Sequence, residues 1–180
     1  MKDRITVKGQ FQWKATIRIN ATPKRVWEIV DDISLIPQYH PEVGKVDLLS
    51  GQSKRAVGVK YQCDILEGRK GSCVEEVVEY IPNHKLSTAM PEDTWGLSKM
   101  FAYFIVDTTV LPQGDNSAIL QFEAYYNPVT LKNKLLNVLL LRRVMRKRAV
   151  KTMEGIKHLA EKQLDSASST LDLPQIFMIF

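Results

Sequence analysis

Apolar and polar residues alternate near the start of the chain and predict a β-strand at residues 11–19. Phe11, Trp13, Ala15, Ile17 and Ile19 share one parity, and the residues between them are Gln, Lys, Thr and Arg. Such alternation is typical of a strand with one buried face. This strand is therefore expected to lie with its apolar side against a core.

The chain then changes to helical spacing. Thr22 is a suitable N-cap for a helix that begins at Pro23, and apolar residues follow at helical spacing over residues 26–33. Pro37 and Pro41 interrupt the next segment. A short amphipathic helix is predicted, followed by an irregular or briefly helical turn that leads into the next strand.

Six further segments have the period of two that is typical of strands. The breaks between them are short and rich in Gly, Pro, Asn and Ser, so consecutive strands are expected to pair as antiparallel hairpins. The predicted strands cover residues 43–49, 57–66, 72–80, 85–90, 99–111 and 118–126.

A helical stripe of apolar residues dominates the rest of the chain. It predicts one helix from Thr130 to about Asp165, of roughly 35 residues and about 50 Å. A Ser-rich segment at 166–170 is predicted to be a linker, and the apolar segment 176–180 is expected to dock on the domain or on a second copy in a homodimer. The stripe comprises Leu131, Leu135, Val138, Leu141, Met145, Ala149, Thr152, Ile156 and Leu159.

These elements define a fold class. A sheet with one apolar face needs a cover, and the long helix is the only predicted element large enough to supply it. We therefore expect an α+β fold in which a curved antiparallel sheet of about seven strands wraps around the C-terminal helix. Residues 1–165 would form this domain, and residues 166–180 would form the linker and tail.

The net charge of +5 is concentrated in the long helix. Residues 130–165 contain ten Lys and Arg against three Asp and Glu. No apolar run approaches the ~18 residues that span a bilayer, and the N-terminus has no apolar signal segment. A cytoplasmic protein is expected, with peripheral attachment to a membrane as a further option.

Three segments resemble a known family. They are Ala21-Thr22-Pro23-x-x-Val26-Trp27 followed by Asp32, the run CVEEVVEYIP at 73–82, and MEGIKHLAE at 153–161. With the order of elements, they make residues 8–163 resemble the START-like helix-grip superfamily. More narrowly, they resemble the polyketide cyclase/dehydrase and lipid-transport group, which includes coenzyme Q-binding proteins.

The resemblance implies an apolar cavity between sheet and helix. Relatives use this cavity for lipids, isoprenoid quinones, polyketide intermediates or plant hormones, and the fold carries no universal catalytic motif. No catalytic residue, metal ligand or cofactor is therefore predicted. The ligand-pocket candidates are Ile36, Tyr39, His40, Tyr61, Cys63, Glu76, Trp95, Met100, Phe104, Phe122, Val138, Leu141, Met145 and Ala149.

A filled core is the alternative to a cavity at these positions. The small side chain of Ala149 and the flexible side chain of Met145 favour a cavity. Glu76 has inward parity in its predicted strand, where a carboxylate would need a polar partner. It would therefore be a group that orients a ligand, or else a sign that the predicted register is shifted.

The two cysteines show no metal-binding spacing. Cys63 and Cys73 do not form a CxxC motif, and the three histidines complete no zinc pattern. Cys63 has inward parity, whereas Cys73 has parity opposite to Val74 and Val78. If those inward assignments hold, the two thiols lie on opposite faces of the sheet and cannot form a disulfide.

The long helix also contains a basic run, which is predicted to be a membrane or partner surface. Anionic lipid headgroups attract such residues, and Leu136, Leu139 and Leu140 lie beside the core stripe where they would touch a membrane. A solvated face is the alternative. Nucleic acid is disfavoured because no aromatic residues interleave with the charges. The run comprises Arg142, Arg143, Arg146, Lys147, Arg148 and Lys151.

Three functions fit this sequence. The first is a binding or carrier protein for a hydrophobic small molecule. The second is an enzyme of the cyclase or dehydratase type, which would need an acid–base pair such as His40 or Glu76 with Tyr61 or Tyr103. The third is a regulatory module that contacts a membrane or a partner through its basic helix.

Overall fold

A computed structural model of the chain describes residues 7–65 and 71–169, with side chains as far as Lys162. It contains one antiparallel sheet in the order β1-β7-β6-β5-β4-β3-β2, which confirms the predicted seven-stranded sheet. The strands are β1 (Phe11–Ile19), β2 (Val43–Asp47), β3 (Lys60–Ile65), β4 (Gly71–Ile81), β5 (Lys85–Asp93), β6 (Phe101–Pro112) and β7 (Ala118–Pro128).

Short helices lie between β1 and β2 and between β5 and β6, and a long helix follows the sheet. The C-terminal helix consists of three continuous segments, Leu131–Leu136, Asn137–Leu141 and Arg142–Ser169. This helix ends at Ser169, so residues 166–169 of the predicted linker are helical, and the apolar segment 176–180 lies outside the described residues. The helices are α1 (Pro23–Asp31), a 3-10 turn (Ile33–Leu35), α2 (Ile36–Tyr39), α3 (Leu97–Met100), α4 (Leu131–Leu136), a π-turn (Asn137–Leu141) and α5 (Arg142–Ser169).

The predicted start of α1 is confirmed. The hydroxyl oxygen of Thr22 accepts a hydrogen bond from the backbone N–H of Arg25 at 3.2 Å, and Pro23 is the first helical residue. Val26 and Trp27 point into the core, where the Trp27 ring packs against Tyr80 with centroids 5.8 Å apart. The local cap therefore places the apolar face of α1 on the concave side of the sheet.

The C-terminal helix comes very close to α2 at Gly155. A Cβ atom built at this position would lie 2.1 Å from the carbonyl oxygen of Tyr39. A contact this short with a backbone atom forces a shift of the helix or of α2. Gly155 thus allows α5 to sit directly on the segment that leads into the sheet.

We expect Gly155→Ala to lower the free energy of unfolding by about 1–3 kcal/mol, because overpacking outweighs the better helix propensity of alanine. The measurement is denaturant unfolding followed by circular dichroism. Glu154→Ala, at the neighbouring exposed position, should change stability by no more than about 0.5 kcal/mol. Equal stability of both variants would contradict the close approach.

The inward face of β4 differs from the prediction. Cys73 and Val77 are buried in the core, and Tyr61 and Cys63 of β3 pair directly with Glu75 and Cys73. Directly paired residues share a face, so the prediction that the two thiols lie on opposite faces is wrong. Shifts in register against β5 change the parity of β4 between Val77 and Tyr80, and the sequence pattern did not reveal them.

The start of the C-terminal helix is also rotated relative to the prediction. Asn137, 1% exposed, faces the core, and Val138 is 53% exposed. The Tyr126 hydroxyl donates to Asn137 Oδ1 at 2.8 Å, and Asn137 Nδ2 donates to Gln12 Oε1 at 3.0 Å. The buried amide is therefore satisfied, and the π-turn at this point shifts the helical phase.

Within residues 7–65 and 71–169, none of the helices combines the length and the apolar composition that crossing a membrane requires.

Candidate ligand-binding site

A group of apolar side chains on β5, β6, the connection between these strands and the C-terminal helix packs against the core and remains partly exposed. Phe104 stacks on Tyr126 with ring centroids 5.1 Å apart. The residues of this group contact the core without being fully enclosed by it. We call this group the apolar cleft. Its residues are Met90, Trp95, Met100, Phe104, Leu141, Met145 and Ala149.

Five other pocket candidates lie in the core. None of them is more than 9% exposed. Ile36 and Tyr39 belong to α2, which packs against α5. His40 is half-buried next to them, and its Nδ1 accepts a hydrogen bond from the backbone N–H of Glu42 at 3.2 Å. The five core residues are Ile36, Tyr39, Tyr61, Cys63 and Phe122.

Three residues considered for the site lie elsewhere. Glu76 pairs with Lys60 on the convex face, where their side chains form a salt bridge at 3.1 Å. Val138 is exposed because of the rotated helix, and Tyr103 is 51% exposed at a position with positive φ. The prediction that Glu76 or Tyr103 contributes to an acid–base pair in the pocket is therefore wrong.

Glu75 occupies the inward position that was assigned to Glu76. Its Oε2 accepts a hydrogen bond from the Tyr61 hydroxyl at 2.5 Å. The same hydroxyl accepts a bond from Arg55, whose Nε also donates to the carbonyl oxygen of Val30 at 2.9 Å. Arg55, Tyr61 and Glu75 thus form a connected polar cluster inside the fold, which we call the buried polar cluster.

The buried polar cluster borders the apolar cleft. Val74 pairs with Glu92 and Glu76 pairs with Ala89, so Glu75 lies in the irregular part of the ladder opposite Met90. The side chain of Glu75 is half-buried. A polar end of a molecule in the cleft would therefore meet a carboxylate that is already oriented by Tyr61.

Burial controls the ionisation of this region. It raises the pKa of Tyr39 to about 12 and raises the pKa of Tyr61 well above its usual value. Burial disfavours the charge of Arg55, but its acidic neighbours Tyr61, Tyr39 and Glu75 outweigh that effect and raise its pKa. Both phenols therefore stay protonated beside a permanent cation.

His40 is kept neutral for a similar reason. Burial lowers its pKa, and the nearby charge of Arg148 acts in the same direction against the attraction of Glu75. A neutral imidazole whose Nδ1 accepts a backbone hydrogen bond carries its proton on Nε2. The ring can therefore donate a hydrogen bond but is not charged at neutral pH.

The basic residues of α5 fall into two groups. Arg142 donates to Gln12 Oε1 at 2.9 Å, Arg146 donates to the carbonyl of Lys14 at 3.0 Å, and Arg148 pairs with Glu42 at 3.1 Å. These three hold the helix against the rest of the fold. Arg143, Lys147 and Lys151 are exposed and are the better candidates for an external contact.

A shallow groove lies where α5 crosses β1. Its volume is about 270 Å³, and its walls combine the Trp13 ring with basic side chains. A groove with this lining suits an anionic group that also has an apolar part. It is lined by Trp13, Lys14, Arg142, Arg143 and Arg146.

The helical segment before α5 exposes most of its apolar residues and buries one polar residue, Asn137. Leu131 is 83% exposed and Leu139 is 65% exposed, whereas Asn137 is buried. So many exposed apolar side chains are unusual for a helix in water. We call the exposed set the leucine surface, and it comprises Val129, Leu131, Leu135, Leu136, Val138, Leu139 and Leu140.

The sheet, the short helices between β1 and β2 and the long final helix together form the helix-grip architecture of START-like proteins. The profile of the polyketide cyclase/dehydrase and lipid transport family matches residues 10–161. The chain therefore belongs to this family. Among curated proteins, none has a sequence that matches the chain.

Solved structures share the fold at low sequence identity. A norcoclaurine synthase point mutant from Thalictrum flavum, in complex with a transition-state analogue, is 16% identical with a TM-score of 0.66, over 84% of this chain and 94% of that one. A START superfamily protein from Mycobacterium smegmatis is 17% identical with a TM-score of 0.61, over 85% of this chain and 99% of that one.

A second structure of the Thalictrum flavum enzyme, in complex with dopamine and hydroxybenzaldehyde, is 16% identical with a TM-score of 0.65 and covers 83% of this chain and 86% of that one. These likenesses concern the fold. The family and the fold together define a protein architecture that binds hydrophobic ligands.

Proposed function

We propose that the protein binds and carries a hydrophobic small molecule, such as a lipid, an isoprenoid quinone or a polyketide-like compound, in the apolar cleft. The observation that carries this proposal is the set of partly exposed apolar side chains that form the apolar cleft. Ligand sites are mostly apolar with a few polar anchors. Phe104 supplies an aromatic ring, and Met145 supplies a flexible side chain that can adapt to a ligand.

The buried polar cluster would anchor the polar end of the ligand. The Glu75 carboxylate accepts a hydrogen bond from Tyr61 and is half-buried, so it would also accept one from a donor on the ligand, such as a hydroxyl group. Arg55 offsets the charge of Glu75 without pairing with it directly. A ligand with one polar end and a long apolar part fits this arrangement better than a wholly apolar one.

The leucine surface and the exposed basic residues of α5 would place the carrier on an anionic membrane. No Asp or Glu occurs between Val129 and Met153, while eight Lys and Arg do. An apolar surface beside basic residues is typical of proteins that lie in the membrane interface. Docking there would bring the cleft residue Leu141, which follows the leucine surface directly, next to the lipid phase.

Catalysis of the cyclase or dehydratase type is the alternative use of the same cleft. Tyr61 and Glu75 provide a hydrogen-bonded pair at its border, and the solved synthase is itself an enzyme on this fold. The raised pKa of Tyr61 makes its hydroxyl a hydrogen-bond donor rather than a base. Carriage of a ligand needs only the groups that the cleft provides, so it is the function that we favour.

Native mass spectrometry of protein purified without detergent tests the proposal. We expect a complex of one protein with one small apolar molecule, which organic extraction should release for identification. An enzyme would instead be revealed by conversion of the extracted compound or a polyketide-like analogue. Protein that repeatedly carries no such molecule, from several growth conditions, would contradict the carrier function.

A further inference from the structure

Two thiols and a carboxylate meet on the inner face of the β3–β4 hairpin. Cys63 and Cys73 are paired residues of neighbouring strands, and both are buried. Their Sγ atoms and a carboxylate oxygen of Glu75 all lie within 4.8 Å of one another. The sequence pattern predicted that the two thiols lie on opposite faces of the sheet. The proposed carrier function does not use them.

We infer that Cys63, Cys73 and Glu75 form a binding site for a thiophilic divalent cation, with Zn²⁺ as the best match. Two thiolates and a carboxylate are ligands that Zn²⁺ prefers. At Zn–S distances of about 2.3 Å and Zn–O distances of about 2.1 Å, the ligand atoms of a tetrahedral site lie roughly 3.5 Å apart. Binding would require side-chain rotations that bring the three ligand atoms about 1 Å closer together than the 4.8 Å limit.

Groups outside the three ligands support the site. The Tyr61 hydroxyl donates to Oε2 of Glu75 at 2.5 Å, which fixes the carboxylate and leaves Oε1 for the cation. Metal-binding carboxylates commonly have such an orienting partner. Arg55 holds the Tyr61 hydroxyl in turn, so the orientation of Glu75 is determined by two successive contacts.

The charges balance with and without the cation. Glu75 and Arg55 offset each other beside two protonated thiols, and binding of Zn²⁺ releases both thiol protons to solvent. Two thiolates then offset the two positive charges. The loaded site therefore leaves no net charge in the interior, which limits the cost of its burial.

The site also leaves a fourth coordination position on the cation and a path by which the cation can reach it. Three protein ligands leave the fourth tetrahedral position for water or for a donor atom of a molecule in the cleft. The thiol pair lies two residues from the ends of the strands at Ile65 and Gly71, and Glu75 is half-buried rather than enclosed. A cation would thus enter beside Glu75 at the border of the apolar cleft.

The test uses the full-length protein, kept reduced, with Zn²⁺ in calorimetry and Co²⁺ in absorption spectroscopy. We expect one cation per chain and a thiolate-to-Co²⁺ charge-transfer band. Cys63→Ser and Cys73→Ser should each weaken Zn²⁺ binding about 100-fold or more, and Glu75→Gln about 10-fold or more. Glu76→Gln, its neighbour on the convex face, is the matched control and should bind as the wild type does.

Three outcomes would overturn the inference. They are no binding of either cation, binding that survives both cysteine substitutions, and thiols recovered as a Cys63–Cys73 disulfide from protein prepared without added oxidant. Circular dichroism of each variant shows that a loss of binding is not a loss of fold. The outcome is independent of the carrier proposal, because the metal alone is the probe.

Discussion

Replacing Arg55 with methionine is expected to lower the free energy of unfolding by about 2–4 kcal/mol, since two buried hydrogen bonds are lost and a half-buried carboxylate loses its nearby cation. Arg55 is 7% exposed and bonds both the Val30 carbonyl and the Tyr61 hydroxyl. Its loss leaves the carboxylate of Glu75 without an offsetting cation and the Val30 carbonyl without its donor. Denaturant unfolding at neutral pH measures the effect.

A matched substitution and a double variant isolate the cause. Lys54 is the neighbouring residue and forms an exposed ion pair with Asp32, so Lys54→Met should cost no more than about 1 kcal/mol. Adding Glu75→Gln to Arg55→Met should recover about 0.5–3 kcal/mol, because the uncompensated charge is then removed. Equal costs for Arg55→Met and Lys54→Met would show that the cluster contributes little to stability.

Reversing two of the exposed charges of α5, in Arg143→Glu/Lys147→Glu, is expected to weaken binding to anionic vesicles at least about 30-fold. Each basic residue near an anionic surface contributes about 1 kcal/mol, and loss of two contributions corresponds to this factor. These residues are chosen because Arg142 and Arg146 also support the fold. Flotation with vesicles of phosphatidylcholine and phosphatidylserine in equal parts measures the binding.

Two further variants separate charge from apolar contact. Arg18→Glu/Lys24→Glu makes the same change in net charge at exposed positions near the start of α1, and it should retain most of the binding. Leu135→Ser/Leu139→Ser on the leucine surface should weaken binding to pure phosphatidylcholine vesicles as well. If both charge-reversed proteins bind equally well, the proposed contact face is wrong.

The fold was predictable because its strands and its long helix have clear periods. From Trp13 to Ile19 the apolar parity matches the inner face of the strand, so alternation alone identifies that face. A shift in register between Phe11 and Trp13 reverses the pattern at the start of the strand, where Phe11 is 55% exposed and Gln12 is buried. The cap at Thr22 and the short breaks between strands are local signals that tertiary contacts did not override. These features determined the antiparallel sheet and the helix that covers it.

Parts of the candidate site were not predictable because they depend on irregularities of register. The run 73–80 has apolar residues at both parities, so alternation alone does not identify its inner face. Shifts against β5 decide it, and they bring Glu75 rather than Glu76 inward. One signal was present, since Cys63 and Cys73 are symmetrical about Gly68 in the predicted turn, which favours direct pairing.

The buried polar residues were missed for a related reason. Arg55 lies in a connecting segment, where an arginine is expected to be exposed, and its burial depends on partners that are distant in the chain. Asn137 replaces Val138 at the core because a π-turn shifts the helical phase and because Gln12 and Tyr126 satisfy its amide. The helical spacing of the leucines predicts neither the π-turn nor the hydrogen-bond partners of Asn137.

Blocking the cleft tests its use as a ligand site most directly. Ala149→Trp places a large ring beside Met145 in the apolar cleft, and Lys151→Trp adds the same ring at an exposed position of the same helix. If the cleft is open, Ala149→Trp should fold with near wild-type stability. If the space is already filled, overpacking should cost about 1–3 kcal/mol.

The decisive measurement is native mass spectrometry of these two variants beside the wild type, purified in parallel without detergent. The account predicts one bound apolar molecule on the wild type and on Lys151→Trp, and none on the folded Ala149→Trp variant. An apolar molecule retained by Ala149→Trp, or absent from all three proteins, would contradict ligand carriage in the cleft between the sheet and the C-terminal helix.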